Sequence, residues 1–511
     1  MSRSRTMLYG SSAPVSPDSS GQKGGPPAKQ RMGAKLTLLV VCLLWPAQML
    51  TVAGIFTSIS QAGIAQHFQT TQIAWFALIY TLVGCLLTPF VAKFGDMFGK
   101  KRVMLIITAI GVIGDIITAI APSYEWMLFG RVLAAAYAPI MALVFATIRD
   151  VFPPKYVGTA SGIVGASSGI FITLCPLLAG LLLDAGGFQA VLWALSGMTF
   201  VAFLLILFFI PETPRHSSSA HFDWLGGLLL GAAATAFIYV VGQIGPWGWF
   251  DIKTIGLFAL GIALAVAFVL VELRLENPLL NVRMFKRRAF ATIIWSSSIG
   301  QGATYAGATM IVFLALFPHI PGVSDALGWS GTHNALVGMP AGFLGLVAGV
   351  IAGLLTGRID PRRPFVAGFA IAIVGSVLQG FFHSTEIEVI LAGIVLAIGT
   401  GLIIASGPAM IVRAVTPDEQ GLASGMSVLL SNIFTAIVAQ IMYARLASGG
   451  FVADGTQFYL DEGYRNGYFA FAIVFAVGLA VALLIPKLPV QQEALEDGAD
   501  VSPLAVQPAA H

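Results

Sequence analysis

Charge is what this chain has least of. Only 10% of its 511 residues are Asp, Glu, Lys or Arg, against roughly 25% in an ordinary soluble domain. Hydrophobic residues make up 57%. A soluble globular body is excluded, and a polytopic membrane protein is left. Cysteine is almost as scarce. Cys42, Cys85 and Cys175 all fall inside apolar runs, which excludes a disulfide framework and a cysteine metal site. His67, His216, His221, His319, His333, His383 and His511 fall in loops, at helix ends or in a tail, as solvated interfacial residues without metal-ligand spacing. No phosphate-cradling glycine loop and no nucleophile–base arrangement is present. An enzyme, or a pump driven directly by ATP, is therefore not expected, and no cofactor is implied. The net charge of +3 reflects membrane topology better than a nucleic-acid partner.

What the chain has instead is long apolar runs. A membrane-crossing helix needs about 20 predominantly apolar residues, and fourteen candidates can be placed between residues 36 and 486. They include 36–60, 72–94, 103–121, an unbroken 126–148, 158–183 and 189–210. An even number puts both termini on one side. Taking the first tail, alternate loops and the last segment as cytoplasmic places 23 of the 27 Lys and Arg there, three opposite, and Arg131 within a span. That bias sets the orientation. Residues 1–35 read as a disordered cytoplasmic tail, and the first helix as an uncleaved anchor. The fold expected is all-α, with six-helix bundles over 36–210 and 289–486, a linker with two inserted helices over 211–288, and a second cytoplasmic tail over 487–511.

The chain is organised around a polar island between the second and third runs, from Ala92 through Asp96, Gly99, Lys100 and Lys101 to Arg102. A link this short cannot recross the membrane, so the two helices form a hairpin. Its three cations hold the tip on the cytoplasmic side. Asp96 is free to accept hydrogen bonds from amides at the start of a neighbouring helix. A plain topology anchor is the alternative. Farther along, PPKYVGTASG at 153–162 returns as TPDEQGLASG at 416–425, and Ser168, Ile170 and Phe171 match Ser431, Ile433 and Phe434 at the same offset. A shortened second basic tip runs from Gly357 to Arg363. Repetition in order indicates a duplicated six-helix unit.

The order Asp-x-x-Gly-Lys-Lys resembles the signature loop of the major facilitator superfamily, with Ala92 for its first glycine and Met97 for a usual cation. FDWLGGLLL at 222–230, ENPLLNVRMFKRRAF at 276–290 and GLASGMSVLLSNIF at 421–434 resemble its fourteen-helix drug:proton antiporter family. The resemblance implies two bundles opening alternately to either face. It implies proton coupling through Arg131 in the fourth helix. In the fifth helix it implies an eroded antiporter motif with Gly162, Pro176 and Gly180 in place, and Phe171, Cys175 and Ala179 where glycines are usual. A first-helix aspartate usual in the family is missing. The fold analogy puts Gln48, Thr51, Tyr137, Ser297, Gln301, Tyr305 and Ser406 along a substrate cavity, with interhelical hydrogen bonding as the plainer role for such residues.

Asp115 is an acid deep in the third span. It lies as far before the turn near residue 123 as Arg131 lies after it, so the two share one depth. Direct pairing, and with it a titratable role for Asp115, is expected, with a lipid-shielded neutral Asp115 or separate polar partners as the alternatives. The functional expectation is a monomeric secondary transporter in the plasma membrane lipid, exporting small amphipathic molecules against proton entry. A facilitator or importer, or a transport-inactive sensor or scaffold, are the alternatives.

Overall fold

The computed structural model describes residues 34–213, 223–275, 280–355, 359–416 and 419–486. Most of both tails, His216, His221, His511, residues 276–279, Gly357 and Arg358 of the second tip, and Pro417 and Asp418 of the second repeat lie outside them.

The first half contains α1 (Ala34–His67), α2 (Ala74–Phe98), α3 (Lys100–Ala119), α4 (Tyr124–Ala134), α5 (Ile140–Val151) and α6 (Pro154–Phe209). Next come α7 (Trp224–Trp247) and α8 (Ile252–Arg274). The second half contains α9 (Arg288–Leu316), α10 (Gly331–Leu355), α11 (Arg362–Phe381), α12 (Glu386–Ala414), α13 (Gln420–Ser448) and α14 (Asp461–Leu483). Among the described residues, twelve helical stretches are long and apolar enough to cross a membrane.

Three departures from the sequence reading have local causes. The fourth run is not one helix. It is α4 and α5 separated by a 3-10 turn at Ala135–Tyr137 and by Pro139. Proline has no N–H and crowds the carbonyl four residues back, which bends or breaks a helix; the fourth run breaks at Pro139, whereas α1, α6, α10 and α12 run on through Pro46, Pro176, Pro340 and Pro408. The fifth and sixth runs are two helices, as expected, but they meet without a loop at the non-helical backbone of Gly186 and Gly187 and together make the 56-residue α6. Gly187 has φ +66°, a region that glycine enters without steric cost. Two small hairpins were not anticipated, β1 (His319–Ile320) with β2 (Ser324–Asp325), and β3 (Gly450–Ala453) with β4 (Thr456–Tyr459). The second turns on Asp454 and Gly455, both at positive φ, as a two-residue hairpin turn requires.

The expected hairpin at the island is present, with Gly99 at φ +98° between α2 and α3. Both copies of the repeat open long helices, α6 and α13. α7 and α8 pack on each other, and α7 also touches α2 and α13, one helix from each half.

The buried clusters show how the halves meet. One cluster is confined to the first half, with Leu43, Val103, Met104, Leu143, Ile148 and Ile206, at the end of the bundle that carries the island. The largest cluster takes its first-half members from the opposite end, such as Ile64, Phe76, Tyr124 and Leu192, and joins them to Phe290, Phe313, Tyr443 and Tyr464 of the second half. The halves therefore share apolar core at the face away from the island. Four hydrogen bonds tie them there: Tyr443 Oη to Gln61 Oε1 at 2.6 Å, Thr456 Oγ1 to Ala65 O at 3.3 Å, and Gly331 N and Thr332 N to Asp184 at 2.7 and 2.8 Å.

Candidate functional site

A buried polar cluster lies within the first half. Arg131 on α4 is 1% exposed and Asp115 on α3 is 2% exposed. The guanidinium donates from Nη2 to Thr57 Oγ1 at 2.8 Å and from Nε to Phe76 O at 3.3 Å. It also lies over the rings of Phe76 and Tyr80, 4.9 and 4.5 Å from their centroids. Such stacking contributes about 2 kcal/mol when the cation is desolvated. Asp115 accepts from Thr199 Oγ1 at 2.8 Å.

The expected direct pair is not formed. The two charges have separate polar partners, and two tyrosines stand between them in the packing. Tyr80 and Tyr137 meet edge to face at 5.8 Å. Tyr137 lies against Gly111, where a Cβ would run into its ring, and Gly111 is one turn from Asp115. Arg131 packs on Tyr80, Tyr80 on Tyr137, and Tyr137 on the helix that carries Asp115. Among the described residues, Asp115 Oδ1, Arg131 Nη1 and the hydroxyls of Tyr80 and Tyr137 have no hydrogen-bond partner. Four polar atoms without partners in one buried region are costly. The arrangement can hold a proton at the carboxylate, and its hydroxyls can both donate and accept.

The residues expected along a cavity divide into two groups. Gln48, Tyr137, Ser297 and Ser406 are fully buried and engaged in packing, not facing a space in this conformation. Gln48 donates to Val164 O at 3.0 Å and Ser167 Oγ at 2.9 Å. Ser297 accepts from Gln301 at 3.0 Å and presses on Gly407 of α12. Small polar residues of this kind let helices approach closely, which is why they look alike in sequence whether they bind or pack. Thr51 and Gln301 are half-buried, and Tyr305 is exposed.

Of the fifth-span motif, Gly180 packs against the backbone of Gly331 at the start of α10, while Gly162 faces open space and Pro176 is half-buried.

At the island, Lys100 rather than Asp96 is the hub. Lys100 is 1% exposed, its ammonium bonds Asp150, and it lies 3.6 Å from Asp96. Its backbone N–H donates to Thr213 Oγ1 at 3.0 Å. Asp96 is 42% exposed and meets the ammonium of this lysine, the first residue of α3. Glu212 lies against Gly99 and reaches Arg102 at 3.6 Å. Lys101 is half-buried. Asp150 and Glu212 are missing from the sequence reading. The signal for Asp150 was available, an acid at the end of the fifth helical segment facing three cations. His383, expected to be solvated, is buried and lies 3.1 Å from Asp461.

Arg287 makes a two-pronged bond to Glu419, at 2.7 and 3.0 Å, joining the starts of α9 and α13. The bond to Arg287 holds the Glu419 carboxyl below its ordinary range. A depressed carboxyl stabilises the fold above its unfolded pKa of about 4.3, and that contribution is lost as pH falls through the folded value. Both side chains are partly exposed, so the effect is under about 1 kcal/mol. Melting curves from neutral pH down to about 3.5 are expected to show Arg287→Gln losing this component, with its deficit vanishing at the acid end.

The Major Facilitator Superfamily profile matches residues 44–353 and 298–509. The chain belongs to that superfamily. Among curated relatives, it is 26% identical to the uncharacterized MFS-type transporter YhcA of Bacillus subtilis over 64% of this chain, spanning 63% of that protein. It is 25% identical to multidrug resistance protein Stp of Mycobacterium tuberculosis, covering 78% of this chain and 74% of Stp. It is 24% identical to the uridine/deoxyuridine transporter of Lactococcus lactis, covering 79% and 82%. Among solved structures, a bacterial homolog of the human lysosomal transporter Spinster aligns at TM-score 0.63 and 14% identity, over 89% of this chain and 98% of that one. That likeness concerns the fold alone. Family and relatives make this chain a multi-pass membrane transporter of a small molecule, not an enzyme.

Proposed function

We propose that the chain is a proton-coupled exporter of small amphipathic compounds, working by alternating access as a monomer in the plasma membrane. The observation that carries this reading is the buried pair of charges on α3 and α4. A charged side chain within a membrane span is expensive and marks an ion or proton path by default. Asp115 supplies the titratable carboxyl that α1 lacks, and Arg131 senses its charge across Tyr80 and Tyr137. A proton on Asp115 removes the attraction on Arg131 and biases the balance between the two access states.

The same reading counts fourteen crossings. The break at Gly186 and Gly187 divides α6 into two, and α2 is a further one. Both termini and the island then lie in the cytoplasm, and the face where the halves are tied is the outside. Substrate enters between the halves from the cytoplasm, where Thr51, Gln301 and Tyr305 offer polar contacts.

Uptake of a polar solute is the second reading, favoured by the similarity to a uridine/deoxyuridine transporter and by the absence of any acid from α1. Energised cells loaded with a panel of amphipathic dyes distinguish the two. Export predicts roughly threefold or greater loss of dye relative to cells without the protein, abolished by a protonophore. Inward accumulation, or efflux indifferent to the proton gradient, overturns the exporter reading.

A further inference from the structure

The start of α10 is held by both halves at once. The first amide N–H groups of any helix have no partner within it. Here Ser330 accepts from His333 N at 3.1 Å. The next donors are taken from across the divide, where the Asp184 carboxylate accepts from Gly331 N at 2.7 Å and Thr332 N at 2.8 Å. Asp184 reaches them because α6 and α10 meet backbone to backbone one turn away. A Cβ on Gly331 would lie 2.8 Å from the Gly180 Cα, and one on Gly180 would run into the Gly331 carbonyl. Of the four cross-half hydrogen bonds named above, the Asp184 pair is charged and the other two are neutral. Charge-assisted bonds at the positive end of a helix are the stronger kind. Asp184 is also exposed, so water replaces its partners as soon as the helices part.

We propose that Asp184 is the outer gate residue, a latch whose release lets the outside open. The proposal rests on the alternating-access part of the reading above. In the closed state the carboxylate bridges the halves. For the outside to open, α6 and α10 must separate and Asp184 must exchange two charge-assisted bonds for water. Asparagine keeps the shape but loses the charge and one of two equivalent acceptors, so it weakens the closed state without adding bulk. Removing a donor on the other side has the same effect. Thr332→Pro deletes one amide in the first helical turn, where proline is tolerated.

The test is thiol labelling from outside intact cells. Cys42, Cys85 and Cys175 are replaced by alanine, and Ala62→Cys serves as reporter, since Ala62 is 5% exposed within the core shared by both halves. A membrane-impermeant maleimide is the probe. Asp184→Asn, Asp184→Ala and Thr332→Pro are expected to raise the labelling rate roughly tenfold, the factor for one charge-assisted bond. Asp184→Glu, which keeps the charge, stays within about threefold of the parent. Parental labelling in those Asp184 variants that reach the membrane, or in Thr332→Pro, overturns the gate. The readout uses neither substrate nor proton gradient, so a failure of the exporter reading leaves it unaffected.

Discussion

Arg131→Lys is expected to remove at least nine-tenths of transport, although it keeps the charge. Lysine offers a single ammonium where arginine spreads a planar fork, so it cannot serve Thr57 Oγ1 and Phe76 O while lying on the rings of both Phe76 and Tyr80. A hydrogen bond to a charged group is worth about 1.5–3 kcal/mol, and stacking adds about 2 kcal/mol when desolvated. Losing one bond and part of the stacking costs about 2–4 kcal/mol, or more than one decade in any step that depends on the guanidinium. Neutralising the charge outright is worse. Arg131→Gln leaves Asp115 buried without a counter-charge, and Asp115→Asn leaves the cation in the same position. The double change removes both. Because the two charges share a low-dielectric region without touching, their coupling is expected at about 1–2 kcal/mol, within the range for residues in one network. Thermal melting of the purified singles and the double measures it. Strict additivity would separate the two residues into independent sites and end the proton-coupling assignment.

The second large effect is expected at the island, and it separates a built ion cluster from a generic basic tip. If the three cations only set orientation, Lys100 and Lys101 are interchangeable. The structure makes them different, since Lys100 is buried on Asp150 while Lys101 is half-buried. Lys100→Met strips the Asp150 carboxylate, itself 8% exposed, of its buried cation and leaves it only the exposed Arg149 guanidinium at 3.6 Å. Removing one partner of a buried pair costs about 3–5 kcal/mol. Lys101→Met is expected to change stability by no more than about 0.5 kcal/mol. In the double variant Lys100→Met/Asp150→Asn no buried charge is stranded, and more than half of the loss should return. Yield of monodisperse protein and its melting temperature report all three. Equal effects at the two lysines would restore the topology-anchor reading.

Sequence carried the large-scale organisation and lost the facing of side chains. Span lengths, the bias of cations and the hairpin at Gly99 follow from bilayer thickness and charge, which act on whole segments. Which side of a helix a residue occupies depends on its neighbours, and the chain does not encode that locally. This is why Gln48, Ser297 and Ser406 read as cavity residues yet pack between helices, and why Asp115 and Arg131, expected to pair, have separate polar partners. Asp184 was invisible for a related reason, because its partners lie 147 and 148 residues away in the other half. Two features were readable and passed over. Pro139 marks a weak point of the α-helix in the fourth span. Asp454 followed by Gly455 between β-favouring residues announces a hairpin.

The break at Pro139 also changes how the fourth crossing can act mechanically. A continuous helix is a stiff rod, and tilting one end swings the other. Here Arg131 stands before the 3-10 turn and Asp150 after Pro139, each fastened into its own cluster near one face. The crossing is thus two levers on a common pin. The segment that carries Arg131 and the segment clamped to Lys100 are not one rigid rod, so the charges at the two ends need not be unlocked in a single stroke.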